Sequence, residues 1–127
     1  MNSLEIHLTA FFERTKANTP EITWIKVSDA QEKKPPPTFT WARNPGVYVI
    51  VTSSQVEYVG KIDSAGLYFR IHQHVETGGA LEWDEMLESP STRIAVIPLL
   101  DDLSVWIPSL EVYLIDKLKP FWNKRKG

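Results

Sequence analysis

Leu4, Leu8, Phe11 and Phe12 recur at helical spacing behind Asn2 and Ser3, two residues suited to cap a helix start. This predicts an amphipathic helix of about 12 residues. Pro20 breaks the pattern, and Glu21–Val27 then alternates polar and apolar side chains as a short strand or extended segment does. Lys33-Lys34-Pro35-Pro36-Pro37 fits neither a helix interior nor a central strand, and reads as a stiff, extended surface connector.

Beyond Pro45 the period changes. Gly46–Val51 is a continuous apolar run rich in β-branched residues, as a buried strand is. Thr52–Gln55 is a polar turn and Val56–Gly60 a second short strand; so short a link makes the pair antiparallel. Leu67, Ile71, His74 and Val75 return to helical spacing, and Thr77-Gly78-Gly79 stops that helix. Leu81–Glu88 reads as a short acidic helix ended by Pro90, and Thr92–Ile97 as a third strand. Pro108-Ser109 opens a last helix from Leu110 to about Leu118, ahead of Pro120. The order predicts an α+β fold with a small antiparallel sheet. Residues 1–42 form an N-terminal extension packing on the core, and residues 43–127 form the core domain.

Composition narrows the function. A chain of 127 residues fits one domain. The absence of cysteine excludes disulfides, zinc ribbons and thiolate catalysis. No apolar run approaches the roughly 20 residues of a membrane helix. Met1-Asn2-Ser3-Leu4-Glu5 lacks the basic start and apolar core of a secretory signal, so a cytoplasmic protein with no membrane partner is expected. Lys and Arg total 14 against 16 Asp and Glu, a net charge of -2, which argues against broad affinity for polyanions but leaves room for one local basic cleft.

Several residues carry possible chemistry. Tyr48 and Tyr58 fall near the middle of adjacent strands; packing explains most strand tyrosines, but a phenol accepts a proton when a cation such as Lys61 lowers its pKa. Arg70 and His74, four apart, share a helix face. A guanidinium forks onto phosphate and an imidazole moves a proton, while the plainer reading is a solvated face. His72 points away from His74, which makes a poor metal pair, and His7 is isolated. Glu111 falls in the first turn of the predicted last helix, where the dipole favours a carboxylate. It also suits Mg²⁺, which commonly takes one or two carboxylates and keeps waters. Asn123 either bonds its own loop or anchors the site. Lys117, Lys119, Lys124, Arg125 and Lys126 form a cationic end that either tracks a phosphate backbone or solubilises the chain. The acidic run of Glu76, Glu82, Asp84, Glu85 and Glu88 repels nucleic acid, so a binding face must turn away from it.

Taken in order, Gly46-Val47-Tyr48, Tyr58-Val59-Gly60-Lys61, Gly66-Leu67-x-x-Arg70-x-x-x-His74, Glu111 and Pro120-x-x-Asn123 resemble the GIY-YIG nuclease superfamily, as a short, single-domain member. The resemblance covers residues 45–124 and leaves residues 1–42 outside it. It implies a three-stranded antiparallel sheet flanked by helices. It also implies a metal-dependent endonuclease that hydrolyses phosphodiester bonds in nucleic acid, DNA ahead of RNA, by activated-water attack with one Mg²⁺ for which Mn²⁺ substitutes. Carried over, Glu111 holds the metal and Arg70 stabilises the charged pentacovalent phosphate. Tyr58 or Tyr48 orients or deprotonates the water, helped by Lys61 or His74, and Asn123 braces the site. A homodimer would account for double-strand cutting by one site per chain. Two other readings compete. One is a catalytically inactive nucleic-acid-binding or protein-interaction module on the same fold. The other is a scaffold that meets a protein partner through some of Trp24, Trp41, Trp83, Trp106 and Trp122.

Overall fold

In a computed structural model of the chain, which describes residues 3–15, 17–64, 66–77 and 81–126, the two periodicities resolve into helices α1 (Ser3–Thr15), α2 (Leu67–Thr77), α3 (Leu81–Glu88) and α4 (Ile107–Leu118) and strands β1 (Thr23–Lys26), β2 (Gly46–Val51), β3 (Val56–Ile62) and β4 (Arg93–Pro98). Short 3₁₀ segments cover Val27–Ala30, Asp101–Trp106 and Phe121–Lys126. The Asn2 cap, the Gly78-Gly79 helix stop and the side chains of the tail Lys124, Arg125 and Lys126 lie outside the described residues. No helix among the described residues is long and apolar enough to cross a membrane.

The fold is α+β, with all four strands in one antiparallel sheet ordered β1-β4-β2-β3. Three strands were expected. The fourth is β1, which pairs Thr23 to Val96 and Lys26 to Arg93 and so covers the edge of β4. An uncovered edge is a row of unpaired backbone groups, and Ile25, buried among the first-face side chains, pins β1 there.

Side chains alternate between two apolar layers. Tyr48, Ile50, Ile94, Val96 and Ile25 face one way, against Leu67, Tyr68, Ile71 and Val75 of α2 and Trp83 and Leu87 of α3. Val47, Val49, Val59, Ala95 and Ile97 face the other way, against Leu4, Leu8 and Phe12 of α1 and Ile107, Leu110 and Leu114 of α4. The N-terminal 42 residues thus serve both faces and one edge. The proline run does more than connect. Pro35 and Pro36 are half-buried, and Phe39 N–H bonds Pro36 C=O at 3.0 Å. This turn delivers Phe39 and Trp41, stacked with centroids 5.0 Å apart, onto the first face.

The last helix begins earlier than its sequence pattern suggests. The Asp101–Trp106 segment runs straight into α4 at Ile107, with Pro108 in its first turn. No acid occupies that turn, and Glu111 lies beyond it, so the expected dipole contribution at Glu111 is weaker than a first-turn position would give. Lys119, in the left-handed conformation, closes the helix with its N–H on Ile115 C=O at 3.1 Å, and Pro120 bars continuation.

Candidate active site

The hairpin register explains why a tyrosine on β2 faces a glycine on β3. Tyr48 pairs directly with Gly60. Its ring lies so close over that residue that a Cβ at Gly60 would stand 2.5 Å from Tyr48 Cζ. Gly46 meets a similar limit, since a Cβ there would stand 2.3 Å from Ile97 O on β4. Two glycines therefore let β2 close on its neighbours and lay Tyr48 flat.

The Tyr48 ring is fully buried, and its hydroxyl lies 2.6 Å from His74 Nδ1 on α2. The hydroxyl is pushed well above the ordinary tyrosine value near 10, first by burial and then by Tyr58 and Glu111, with Arg70 pulling it back. Tyr48 is thus a neutral phenol, and its hydroxyl shares one short hydrogen bond with the imidazole Nδ1. Tyr58, half-buried, stands edge-on to His74 with centroids 4.5 Å apart, and 6.1 Å from the Tyr48 ring. Trp83 stacks on His74 at 5.1 Å, and Trp122 meets Trp83 edge to face at 5.2 Å. The imidazole is therefore held in one orientation by aromatic walls.

Arg70 is exposed on α2, near enough to the Tyr48 hydroxyl to oppose its rise in pKa. His72 departs from this group as expected: its Nδ1 lies 2.8 Å from Ala30 C=O and its ring stacks on Tyr68. Lys61 sits inside β3, not after it, opposite Val47. Strand alternation puts it on the α4 side of the sheet, away from the Tyr48 ring. Its ammonium bonds Asp63 at 2.6 Å, which raises its pKa, with a smaller upward push from Glu111. Glu111, half-buried on α4, acts by its charge on both Lys61 and Tyr48. Tyr48, Tyr58, Arg70 and His74 hence gather on one face, and Lys61 and Glu111 reach the same end of the sheet from the other.

Asn123 stands apart, at the outer edge of β3. Its Oδ1 accepts from Val59 N–H at 2.7 Å and its Nδ2 donates to Val59 C=O at 2.9 Å, all buried. The side-chain amide replaces a missing strand at that residue and ties the C-terminal segment to the hairpin. Asn123→Ala is expected to cost about 2 kcal/mol, because two buried backbone groups lose their partner; urea denaturation measures it.

The raised Tyr48 pKa carries a pH signature. A phenol that resists ionisation when folded contributes stability that is complete below pH 10. That stability drains away as pH climbs above 10, where the unfolded chain ionises first. Tyr68, also raised by burial, adds to the same limb. Tyr48→Phe is expected to flatten the alkaline decline without removing it, as read from urea melts on either side of pH 10.

Trp83 and Asp63 are contributors that the periodicity does not single out. Trp83 points inward with Leu87 from an otherwise acidic helix, with Glu82, Glu85 and Glu88 exposed. A groove of about 500 Å³ between α1 and Thr19–Trp24 contains none of the residues above. Four of the five tryptophans are buried or half-buried, and Trp24, beside that groove, is 40% exposed. The chain matches no protein-family model and no curated protein.

Proposed function

We propose that the chain is a metal-dependent endonuclease of the GIY-YIG type, hydrolysing phosphodiester bonds in DNA by activated-water attack. The observation that carries this reading is the 2.6 Å contact between a buried tyrosine hydroxyl and a histidine, with an exposed arginine beside it. Structural tyrosines seldom need a titratable acceptor and an exposed guanidinium at one hydroxyl.

Arg70 forks onto the non-bridging phosphate oxygens and holds the charge that builds as water attacks in line. The water gives its proton to the Tyr48 oxygen while the Tyr48 proton passes to His74 Nδ1. A neutral phenol is a poor base alone, and the imidazole behind it removes that difficulty. The P–O bond to the leaving strand breaks, and that oxygen takes a proton from solvent. Tyr58 and Trp83 hold the His74 ring, and Asn123 holds β3.

A divalent cation fits Glu111. Among the described residues no three acidic or histidine side chains gather as a ligand set, and a hard cation that keeps its waters needs one or two carboxylates. Glu111 supplies one at the end of the sheet where the Tyr48 hydroxyl lies. A divalent cation held by Glu111 would supply positive charge against that building on the phosphate.

The inactive-module reading draws support from the full burial of Tyr48. Nicking of supercoiled plasmid and of a branched DNA, with Mg²⁺, with Mn²⁺ and with EDTA, decides between them. The nuclease reading requires metal-dependent cutting that Arg70→Ala lowers by about a hundredfold. DNA binding without cutting in any metal supports the inactive module.

A further inference from the structure

We infer that Arg43 and Phe69 form a stacking platform for an unpaired nucleotide next to Arg70, so that DNA with unpaired nucleotides at the cut, such as branched or gapped DNA, is the preferred substrate over intact duplex. The inference rests on the nuclease reading above.

Helix α2 buries Leu67, Tyr68 and Ile71 completely but leaves Phe69 37% exposed. The exposed Arg43 sets its guanidinium 5.4 Å from the Phe69 ring centroid. The two are held in register by backbone. Gly66, Leu67 and Tyr68 donate their N–H groups to the carbonyls of Arg43, Asn44 and Ala42 at 3.1, 2.9 and 2.9 Å. The loop carrying Arg43 is thereby bolted to the helix end that carries Phe69 and Arg70. The same bonds engage the amides of Leu67 and Tyr68, the first two of α2.

A planar guanidinium over an aromatic ring offers a flat cationic surface, and bases stack on such surfaces whatever their identity. A base inside a duplex is already stacked on both faces and cannot use it. An unpaired base can, with its phosphate falling toward Arg70 one residue along. Arg43 and Arg70, both exposed, flank Phe69 with positive charge in a chain of net charge -2, which matches a phosphate backbone. A purely structural Arg43–Phe69 pair would affect stability but not the choice between DNA forms.

The test measures binding of the whole chain in EDTA, by fluorescence anisotropy, to a duplex with one unpaired 2-aminopurine and to its fully paired counterpart. Wild type is expected to favour the unpaired form by roughly tenfold and to quench the 2-aminopurine on binding. Phe69→Ala and Arg43→Lys, the latter keeping the charge but losing the plane, are expected to bring the ratio toward one and to abolish the quench. Circular dichroism checks folding, and Arg43→Lys carries the test if Phe69→Ala unfolds. A wild type that binds and cuts DNA, but with an unchanged ratio and quench in both variants, overturns the platform and leaves the nuclease reading intact. A wild type that neither binds nor cuts either DNA overturns both.

Discussion

Glu111→Ala is expected to lower metal-dependent cleavage by about a thousandfold while leaving the fold and the DNA affinity in EDTA intact. The expectation follows from its place in the molecule. Glu111 is half-buried on α4, beyond the first turn, where alanine propagates a helix at least as well as glutamate does. Its neighbour Leu110 fills the core, and Glu111 itself is not among the buried charges. Its charge instead reaches the Tyr48 hydroxyl and Lys61. In a site with one carboxylate for the cation, removing it takes away both the metal's anchor and the charge stabilisation the metal supplies, an effect of about 10³ in rate. Affinity for DNA without metal should hold or rise, since a negative charge leaves the neighbourhood of the phosphates. Single-turnover cleavage in Mg²⁺, beside anisotropy in EDTA, separates the two effects. Cleavage within tenfold of wild type would remove Glu111 from the site.

Gly60→Ala is expected to cost about 3 kcal/mol and to disable the site in the molecules that still fold. The new methyl would stand 2.5 to 2.7 Å from two ring carbons and the hydroxyl oxygen of Tyr48. That ring cannot swing out, because it is fully buried and its hydroxyl is engaged with His74. Either β3 shifts, breaking its register with β2 and its bonds to Asn123, or Tyr48 leaves His74. Overpacking of this kind costs about 1–3 kcal/mol, and a rigid, strand-borne neighbour puts the site at the upper end. Urea denaturation gives the stability, and near-ultraviolet circular dichroism reports the tyrosine environment. A variant within 0.5 kcal/mol of wild type, with an unchanged aromatic spectrum, would show that Tyr48 does not lie over Gly60.

Much of this was legible in the sequence, for local reasons. The Gly46–Val51 and Val56–Gly60 runs with a four-residue polar turn could only form a hairpin, and the hairpin set Tyr48 near Tyr58. The four-residue spacing of Arg70 and His74 placed both on one face of α2, where His74 is half-buried against the hairpin and Arg70 is exposed. What escaped depended on distant partners. Glu21–Val27 read as a short strand or extended segment, but its place as the fourth strand of the sheet depended on the edge of β4, some seventy residues away. Asn123 found its role on Val59, also remote in sequence. The start of α4 was set by the 3₁₀ segment before it, which has no periodic signature, so the position of Glu111 in its helix was misread by nearly a turn. Lys61 looked like a neighbour of the tyrosines, yet strand alternation turned it to the other face and Asp63 engaged it. Trp83 was hidden in an acidic helix whose charges point outward.

The central claim is that the Tyr48 hydroxyl and His74 move the proton of the attacking water. Tyr48→Phe tests it most directly, because it removes one oxygen and keeps the buried ring. Single-turnover cleavage of a DNA that wild type cuts in Mg²⁺, with melting temperature and EDTA affinity measured on the same preparations, is the measurement. If the pair carries the proton, Tyr48→Phe falls by about a hundredfold or more in rate while it binds DNA as wild type does. A Tyr48→Phe chain that cuts at the wild-type rate would contradict the claim outright.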